Sequence, residues 1–334
     1  MKTLRWGVVG TGGIANSMAR MIKMADNSEL SAVSSRRMET AREFADEHSV
    51  PNAFDSWEQM CGSDTVDAIY VATPTSVREE ICLAAANGGK HVLGEKPFAS
   101  LPSVKRITAA CRDNNVAFMD GTHFVHHPRT LDIRANREDR LGFVWSVASA
   151  FQFNLADRGN IRFNPELEPM GAIGDAGWYN MRAAVEYLPP DVVLDTVSSH
   201  LRRDPATGAA ISGTGVLDFT DGSTSTWNCG FDSGAVVMDL RITGTKGVIN
   251  IDDFLGQNPD GSADFLYREG GWGRGTNEEI NIPSARPGAA LMFEDMAAAA
   301  ADPALREHWM TATERTQSLL DAAWLGALET EKNG

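Results

Sequence analysis

Short apolar runs alternate with helical segments over the first 124 residues, and this alternation restricts the possible folds more than any other feature of the sequence. The apolar runs read LRWGVVG, LSAVSS, DAIYVAT, HVLG and VAFMDG, and segments of helical periodicity separate them. Strands that alternate with helices of about 10–15 residues form βαβ units around a parallel sheet. We therefore predict an α/β domain with a doubly wound parallel sheet over residues 1–124.

Longer strand-like runs replace this pattern after about residue 140. FVWSVASAFQFN, VVLDTVSSHLRR and VVMDLRITG are examples, and turn signals such as Asp-Gly separate them. One helix is predicted around Asp175–Tyr187, and two more near Ala289–Ala301 and His308–Thr330. These elements predict an α+β second domain over residues 125–334, built on an antiparallel sheet, whose C-terminal helices can pack back on the first domain.

Charge and cysteine content narrow the class of protein. The net charge of −15 argues against a nucleic-acid partner, because binding phosphates needs a basic patch. The four cysteines lack CxxC or metal-ligand spacing, so we expect reduced, buried thiols. No apolar run approaches the ~18 residues of a membrane span, and no signal-peptide pattern is present. We expect a cytoplasmic protein that does not bind membranes.

The first strand runs into the sequence VVGTGGIANSMAR, which contains the pattern Gly10-x-Gly12-x-x-Ala15. Gly10 permits a tight turn, Gly12 lets the backbone approach a pyrophosphate, and Ala15 allows close helix–strand packing. The alternative is an ordinary glycine-rich turn, but this pattern opens the first βαβ unit, which is the context that dinucleotide binding requires. The predicted cofactor contacts are Gly10, Thr11, Gly12, Gly13 and Ile14.

The end of the second strand indicates which dinucleotide fits. NAD sites usually have Asp or Glu there to bind the ribose hydroxyls, whereas this chain has Ser34-Ser35-Arg36-Arg37. A serine hydroxyl and a guanidinium bind a 2′-phosphate, which a carboxylate would repel. The alternative is a solvated arginine pair at a helix entry. Ser35 and Arg36 therefore favour NADP(H), with NAD(H) as the second candidate.

The run HVLGEKP places Glu95, Lys96 and Pro97 directly after an apolar strand. Ligands of doubly wound sheets bind at the carboxyl ends of the strands, and a cis bond before Pro97 would aim the lysine at them. An ammonium beside a nicotinamide can hydrogen-bond a substrate oxygen and exchange its proton. Lys96 is therefore a candidate for the catalytic proton exchange at the cofactor site; the alternative is a lysine in a solvated loop tip.

A second group of candidate residues lies in GAIGDAGWYN, where Asp175 and Tyr179 stand four apart at the start of the predicted helix and share a face. A tyrosine hydroxyl near a lysine is a reasonable proton donor to a carbonyl being reduced. The alternative is that Asp175 caps the helix and Tyr179 packs against the sheet. The residues alone leave two interpretations open: catalytic roles for Asp175 and Tyr179, with Tyr179 also touching the substrate, or purely structural roles.

Other polar residues are weaker candidates. His123, His126 and His127 cluster near the predicted domain boundary, but adjacent histidines point apart and no carboxylate spacing accompanies them, so no metal site is predicted. His123 can line the substrate cleft or simply pack there. Arg162 can position a substrate as a cation, or it can be an ordinary surface arginine.

Four motifs carry a family resemblance: Gly10-Thr11-Gly12-Gly13-Ile14-Ala15, Ala72-Thr73-Pro74, Glu95-Lys96-Pro97 and Gly174-Asp175-Ala176-Gly177-Trp178-Tyr179. With them the chain, from Leu4 to about Thr330, resembles the Gfo/Idh/MocA oxidoreductases (glucose–fructose oxidoreductase and inositol dehydrogenase). The Glu-Lys-Pro motif is the most specific of the four.

The resemblance implies a Rossmann domain followed by a large open, mostly antiparallel sheet that often forms the oligomer interface. It implies that Lys96 contacts both nicotinamide and substrate, and that Asp175 and Tyr179 complete the catalytic group. The motif residues Thr73, Pro74 and Glu95 then belong to the cofactor site.

This chain departs from the family pattern in two places. Inositol dehydrogenase-like members usually have His where this chain has Tyr179, and a tyrosine there is similar to the dihydrodiol dehydrogenase and glucose–fructose oxidoreductase branches. Many relatives carry Asn and His where this chain has Thr75 and Arg78.

The residues and the resemblance together predict an NADP(H)-dependent oxidoreductase. Hydride passes between nicotinamide C4 and a secondary alcohol or ketone of a sugar-like or cyclic polyol substrate. The alternatives are an NAD-dependent polyol dehydrogenase, or a glycoside-cleaving or regulatory family member with tightly bound NAD(P). A homodimer or homotetramer through the C-terminal sheet is expected, because an exposed sheet face must be covered.

Overall fold

The computed structural model describes residues 2–271 and 275–333. The chain divides into two compact units, Met1–His126 with Arg286–Glu314, and His127–Ala285 with Arg315–Gly334. We call the first the nucleotide unit and the second the sheet unit.

The nucleotide unit contains six parallel strands in the order β3-β2-β1-β4-β5-β6. The strands are β1 (Leu4–Val9), β2 (Ser28–Ser34), β3 (Asn52–Phe54), β4 (Ala68–Val71), β5 (His91–Gly94) and β6 (Phe118–Asp120). The helices between them are α1 (Gly13–Met24), α2 (Met38–Glu47), α3 (Trp57–Cys61), α4 (Thr75–Asn87) and α5 (Leu101–Asp113). This order reverses direction at β1, so the ends of β1 and β4 form the switch point at which such sheets bind ligands.

The sheet unit contains nine strands, and its order is β15-β14-β13-β12-β7-β10-β9-β8, with β11 paired to β7. The strands are β7 (Val144–Asn154), β8 (Leu194–Arg203), β9 (Ala210–Phe219), β10 (Thr224–Gly230), β11 (Asp232–Val237), β12 (Leu240–Gly244), β13 (Gly247–Ile251), β14 (Ala263–Glu269) and β15 (Thr276–Ile282). Only the β7–β10 pair is parallel among these described strands.

Helices of the second half of the chain complete the two units. They are α6 (Pro128–Ala135), α7 (Arg137–Arg140), α8 (Gly171–Asp175), α9 (Gly177–Tyr187), α10 (Gly288–Ala301) and α11 (Pro303–Asn333), with 3-10 turns at His123–His126 and Ile161–Phe163. Helix α10 packs in the nucleotide unit, where the Phe293 ring lies 4.9 Å from Trp6 and 5.9 Å from Tyr70 between ring centroids. No helix among the described residues has the length and apolarity of a membrane span.

The predicted fold class is confirmed: a Rossmann-type parallel sheet is followed by a mostly antiparallel one. All four cysteines are buried and free, as expected. The strands β3, β14 and β15 were not predicted, and the C-terminal helix is longer than the predicted His308–Thr330.

Candidate functional site

The glycine-rich turn between β1 and α1 has the backbone that the sequence predicts. Gly10 has a φ of 107°, and a Cβ there would lie 2.6 Å from the carbonyl oxygen of Ala72, so only glycine fits. A Cβ at Gly12 or Gly13 would meet nothing within 4 Å. The turn is therefore tight on the protein side and open on the other.

The N-terminus of α1 is free of side-chain caps. Gly12 is the N-cap residue and makes no side-chain hydrogen bond, while Ile14 in the first turn is exposed. The Asn16 amide holds the turn by donating to the carbonyls of Thr11 at 3.1 Å and Gly12 at 3.0 Å. Uncapped N–H groups at a helix start attract an anion, so this turn fits the pyrophosphate of a dinucleotide.

The end of β2 presents the residues predicted to select the cofactor. Ser34 is buried and accepts the Gly10 N–H at 2.9 Å through its carbonyl, which ties β2 to the glycine-rich turn. Ser35 is half-buried and Arg36 is exposed. A hydroxyl and a guanidinium at this point fit a 2′-phosphate, because both can donate hydrogen bonds to it.

Thr73, at the end of β4, has a buried hydroxyl that finds no hydrogen-bond partner among the described residues. Pro74 follows it as the N-cap residue of α4. A buried polar group without a partner is costly, and a polar ligand at this sheet edge would supply the missing hydrogen bond. The Thr73 hydroxyl thus fits the cofactor site to which it was assigned.

Lys96 follows β5 and is joined to Pro97 by a cis peptide bond, as predicted. Beneath it the buried Glu95 carboxylate accepts the Tyr70 hydroxyl at 2.5 Å and the Lys96 N–H at 3.3 Å. A Cβ at Gly121 would lie 2.8 Å from Glu95 Oε1, so the carboxylate rests against bare backbone. Glu95 therefore supports the segment that carries Lys96.

No group of three or more His, Cys, Asp or Glu side chains that could hold a metal ion was found among the described residues. Burial, followed by the charges of Lys96 and His126, lowers the pKa of His123 to about 4, so His123 is neutral near pH 7. The His126 Nδ1 lies 2.6 Å from Asp295 Oδ2. His127 instead accepts the Arg129 N–H at 3.0 Å and caps α6.

The structure around Asp175 and Tyr179 differs from the prediction, which placed both residues at the start of one helix. Asp175 ends α8, and Tyr179 lies in the first turn of α9, which begins at Gly177. The N-cap residue of α9 is Ala176 and not Asp175. The Asp175 carboxylate accepts two hydrogen bonds from Arg162, from Nε at 2.7 Å and from Nη2 at 3.1 Å. Arg162, predicted to touch the substrate, thus binds the predicted catalytic carboxylate.

A row of aromatic rings extends from Tyr179 along β7. The ring centroids of Phe151 and Tyr179 are 5.5 Å apart, and those of Phe151 and Phe153 are 5.3 Å apart. Phe231 continues the row at 5.3 Å from Phe153. Both β7 rings are half-buried, so the Tyr179 ring packs against an aromatic surface on this side.

Sequence reasoning missed Tyr70 and Phe151. Tyr70 carries the one hydroxyl in the otherwise apolar strand β4 (AIYV), which was a signal that a buried polar partner exists. Phe151 had no such signal, because its place beside Tyr179 is set by the packing of α9 on β7.

Two family models match the chain. The GFO/IDH/MocA oxidoreductase model, described by its NAD-binding Rossmann fold, matches residues 4–122, and the GFO/IDH/MocA C-terminal domain model matches residues 134–250.

Individual proteins are similar over most of the chain. D-xylose 1-dehydrogenase (NADP(+)) 2 of Haloferax volcanii is 31% identical over 271 residues, which is 80% of this chain and 82% of that protein. The scyllo-inositol 2-dehydrogenase (NADP(+)) IolU of Bacillus subtilis is 27% identical, with coverage of 87% and 86%. The crystal structure of KijD10, a 3-ketoreductase from Actinomadura kijaniata in complex with NADP and TDP-benzene, has a TM-score of 0.86 at 24% identity, covering 97% of this chain and 98% of that one.

Proposed function

Because the chain belongs to the GFO/IDH/MocA oxidoreductase family, we propose that it is an NADP(H)-dependent oxidoreductase. It transfers a hydride between nicotinamide C4 and a secondary alcohol or ketone of a sugar-like or cyclic polyol substrate. Two of its relatives, the xylose and scyllo-inositol dehydrogenases, carry NADP(+) in their names and act on such compounds.

The observation that carries the cofactor choice is the end of β2. Ser35 and the exposed Arg36 stand where an acidic residue would bind the ribose of NAD. They lie beside the glycine-rich turn, because the Gly10 N–H bonds the Ser34 carbonyl at 2.9 Å. A 2′-phosphate placed there would gain a charge-assisted hydrogen bond from the guanidinium.

The nicotinamide, when bound, supplies or accepts the hydride. We assign to Lys96 and the Tyr179 hydroxyl hydrogen bonds to the reacting substrate oxygen, and to one of these two groups the exchange of its proton. Arg162 keeps the Asp175 carboxylate fixed through the hydrogen bonds at 2.7 and 3.1 Å. Asp175 then serves to orient the groups that move the proton. A Tyr179→Phe variant is expected to lose about 10²–10⁴-fold in turnover.

We also propose a cytoplasmic homodimer or homotetramer formed through the outward face of the nine-stranded sheet. Ala148, Thr226 and Val216 stand side by side on β7, β10 and β9. Their side chains are small and at least partly exposed, which favours flat packing of a second copy. Light scattering would show a mass of two or four chains, and Thr226→Arg would reduce it.

The four free thiols favour a reducing compartment, which fractionation of the producing cells would test.

The decisive experiment is a fluorescence titration of the purified protein with NADPH and with NADH. We expect NADPH to bind at least ~10-fold more tightly, a difference of about 1.4 kcal/mol, and Arg36→Ala to abolish the preference. Arg20→Ala is the control, because Arg20 is an exposed arginine on α1. Sugars and cyclic polyols are then screened as substrates by reduction of NADP⁺.

Other outcomes would replace the proposal. Equal or NADH-favouring affinity would point to an NAD-dependent polyol dehydrogenase. Failure to bind either nucleotide, with NAD(P) released on denaturation, would indicate a glycoside-cleaving or regulatory member with tightly bound cofactor.

A further inference from the structure

Arg78 on α4 is a buried arginine that connects two loops of the nucleotide unit. Its Nη1 donates to Thr75 Oγ1 at 3.1 Å and to the Pro97 carbonyl, and its Nη2 donates to the Thr73 carbonyl. The residue is 3% exposed, and its Cζ lies 6.0 Å from the centre of the Phe98 ring. One guanidinium therefore bonds the loop after β4 and the loop after β5.

Both loops carry residues that the proposed function assigns to cofactor and substrate. Thr73, with its buried hydroxyl, precedes the first loop's proline, and Lys96 precedes Pro97 in the second. The Thr75 hydroxyl adds a hydrogen bond of its own to the Pro97 carbonyl at 3.3 Å. Arg78 and Thr75 therefore both contribute to the relative position of the two loops.

The chemistry of the contact requires an arginine. A planar guanidinium presents N–H donors in a fixed fork, so it can bond carbonyls of two separate loops at once. A lysine has one compact ammonium, and a neutral imidazole has one N–H donor. Burying a cation costs several kcal/mol unless hydrogen bonds compensate it, which here come from two carbonyls and a hydroxyl.

We propose that Arg78 is a positioning residue that fixes the Lys96–Pro97 segment against the Thr73–Thr75 segment and so sets the place of the Lys96 ammonium. The residue acts through these backbone carbonyls. The proposal rests on the proposed function for the role of Lys96, but the geometry of the two loops can be tested without any cofactor.

The test follows the Lys96 side chain directly. The chain has seven lysines, so reductive ¹³C-dimethylation gives few NMR signals, and Lys96→Arg assigns the one of interest. The variants are Arg78→Gln, Arg78→Lys and Thr75→Val, the last of which removes only the hydroxyl between Arg78 and Pro97. Arg106→Ala is the matched control, because Arg106 is an exposed arginine paired with Glu79. Each variant is also titrated with NADPH and unfolded in urea.

We expect Arg78→Gln to move the Lys96 signal of the cofactor-free protein and to weaken NADPH binding at least ~5-fold, about 1 kcal/mol. Both effects should be smaller in Arg78→Lys and smallest in Thr75→Val. Arg106→Ala should change neither the Lys96 signal nor NADPH binding. A purely structural role would lower the urea midpoint and leave the Lys96 signal unchanged. If Arg78→Gln does not fold, the same comparison is made with Arg78→Lys and Thr75→Val.

The proposal is overturned if the folded variants keep both the Lys96 signal and the NADPH affinity of the wild type. Failure of the wild type to bind NADPH would refute the proposed function alone, since the signal of the cofactor-free protein still reports on Arg78.

Discussion

Arg162 holds Asp175 through two nitrogens on one edge of its guanidinium, Nε donating to Oδ2 at 2.7 Å and Nη2 to Oδ1 at 3.1 Å. The Asp175 side chain is only 12% exposed, whereas that of Arg162 is 37% exposed. Such a two-point contact fixes both the charge and the orientation of a carboxylate. The 3-10 turn that carries Arg162 is thereby connected to the end of α8.

Arg162→Ala should lower turnover about 10- to 100-fold, because it would misplace the Asp175 carboxylate to which we assign a role in orienting the proton-transferring groups. NADPH affinity should stay within about twofold, since the predicted cofactor residues belong to the nucleotide unit and Arg162 belongs to the sheet unit. Arg162→Lys should recover only part of the rate, because an ammonium cannot reproduce the two-point contact.

The control for this prediction is Arg202→Ala, which breaks a surface pair with Asp232 and should leave turnover unchanged. In addition, Asp175→Asn should cost as much alone as together with Arg162→Ala, since the two residues act as a unit. Additive losses would mean that Arg162 acts on the substrate and not through Asp175.

Replacement of Gly10 and of Gly12 by alanine should affect the stability of the fold to very different extents. Gly10→Ala should destabilise the fold by about 2–4 kcal/mol, because its φ is 107° and the new Cβ would lie 2.6 Å from the Ala72 carbonyl oxygen. Gly12→Ala should change stability by less than about 1 kcal/mol, since its φ of −75° suits alanine and nothing lies within 4 Å.

The same Gly12→Ala variant should lose at least ~10-fold in NADPH affinity, because its methyl group occupies the space through which the backbone approaches the pyrophosphate. Urea unfolding and fluorescence titration measure the two effects separately. Unchanged NADPH binding in Gly12→Ala would show that the pyrophosphate lies elsewhere.

The fold class could be predicted because the signals for the parallel sheet are local. Strands buried on both faces read as apolar runs such as AIYV in β4. β15 could not be found this way: its sequence TNEEINI is largely exposed, and its strand conformation depends on pairing with β14. β14 itself did carry a signal, since Ala263, Phe265 and Tyr267 alternate as buried residues.

The candidate site was predictable as far as backbone motifs determine it. Gly10 and the cis bond before Pro97 follow from local sequence. The partner of Asp175 could not be predicted from local sequence, because Arg162 and Asp175 meet through tertiary packing across 13 residues of chain. Arg78 was visible as a departure from the family pattern, but nothing in the sequence indicated that it bonds both flanking loops.

Tyr70→Phe should weaken the hydrogen bonding of Glu95, the buried carboxylate that supports the segment carrying Lys96. The change removes the O–H that donates to Glu95 Oε1 at 2.5 Å and leaves a buried carboxylate short of a donor. The expected loss is about 1–3 kcal/mol of unfolding free energy, with reduced NADPH-linked turnover, measured by urea unfolding and steady-state kinetics. Tyr267→Phe, which removes a hydroxyl bonded to Glu269 at 2.7 Å in the sheet unit, should lower stability but leave turnover intact. Equal loss of turnover in both variants would contradict a local role for Tyr70.

His91 at the start of β5 should make the protein lose stability in mild acid. Its pKa is lowered to about 4, first by burial and then by the charge of Arg306, with Lys2 acting in the same direction and Asp67 against it. The neutral ring accepts the Ala117 N–H at 2.9 Å through Nδ1. The unfolded chain therefore binds a proton that the native state does not, and stability falls as the pH drops from about 6.5 towards 4.

His91→Asn keeps an acceptor for the Ala117 N–H but removes the titrating group. Between pH 7 and pH 5 the wild type should lose about 1–2 kcal/mol more unfolding free energy than the variant, as measured by urea unfolding at both pH values. His200→Asn, at an exposed position of β8, should follow the wild type. The remaining histidines are common to both proteins, so their contributions cancel in the difference between wild type and variant. Equal losses of unfolding free energy in wild type and His91→Asn would contradict the prediction, because they would show that His91 is protonated as readily in the folded state as in the unfolded one.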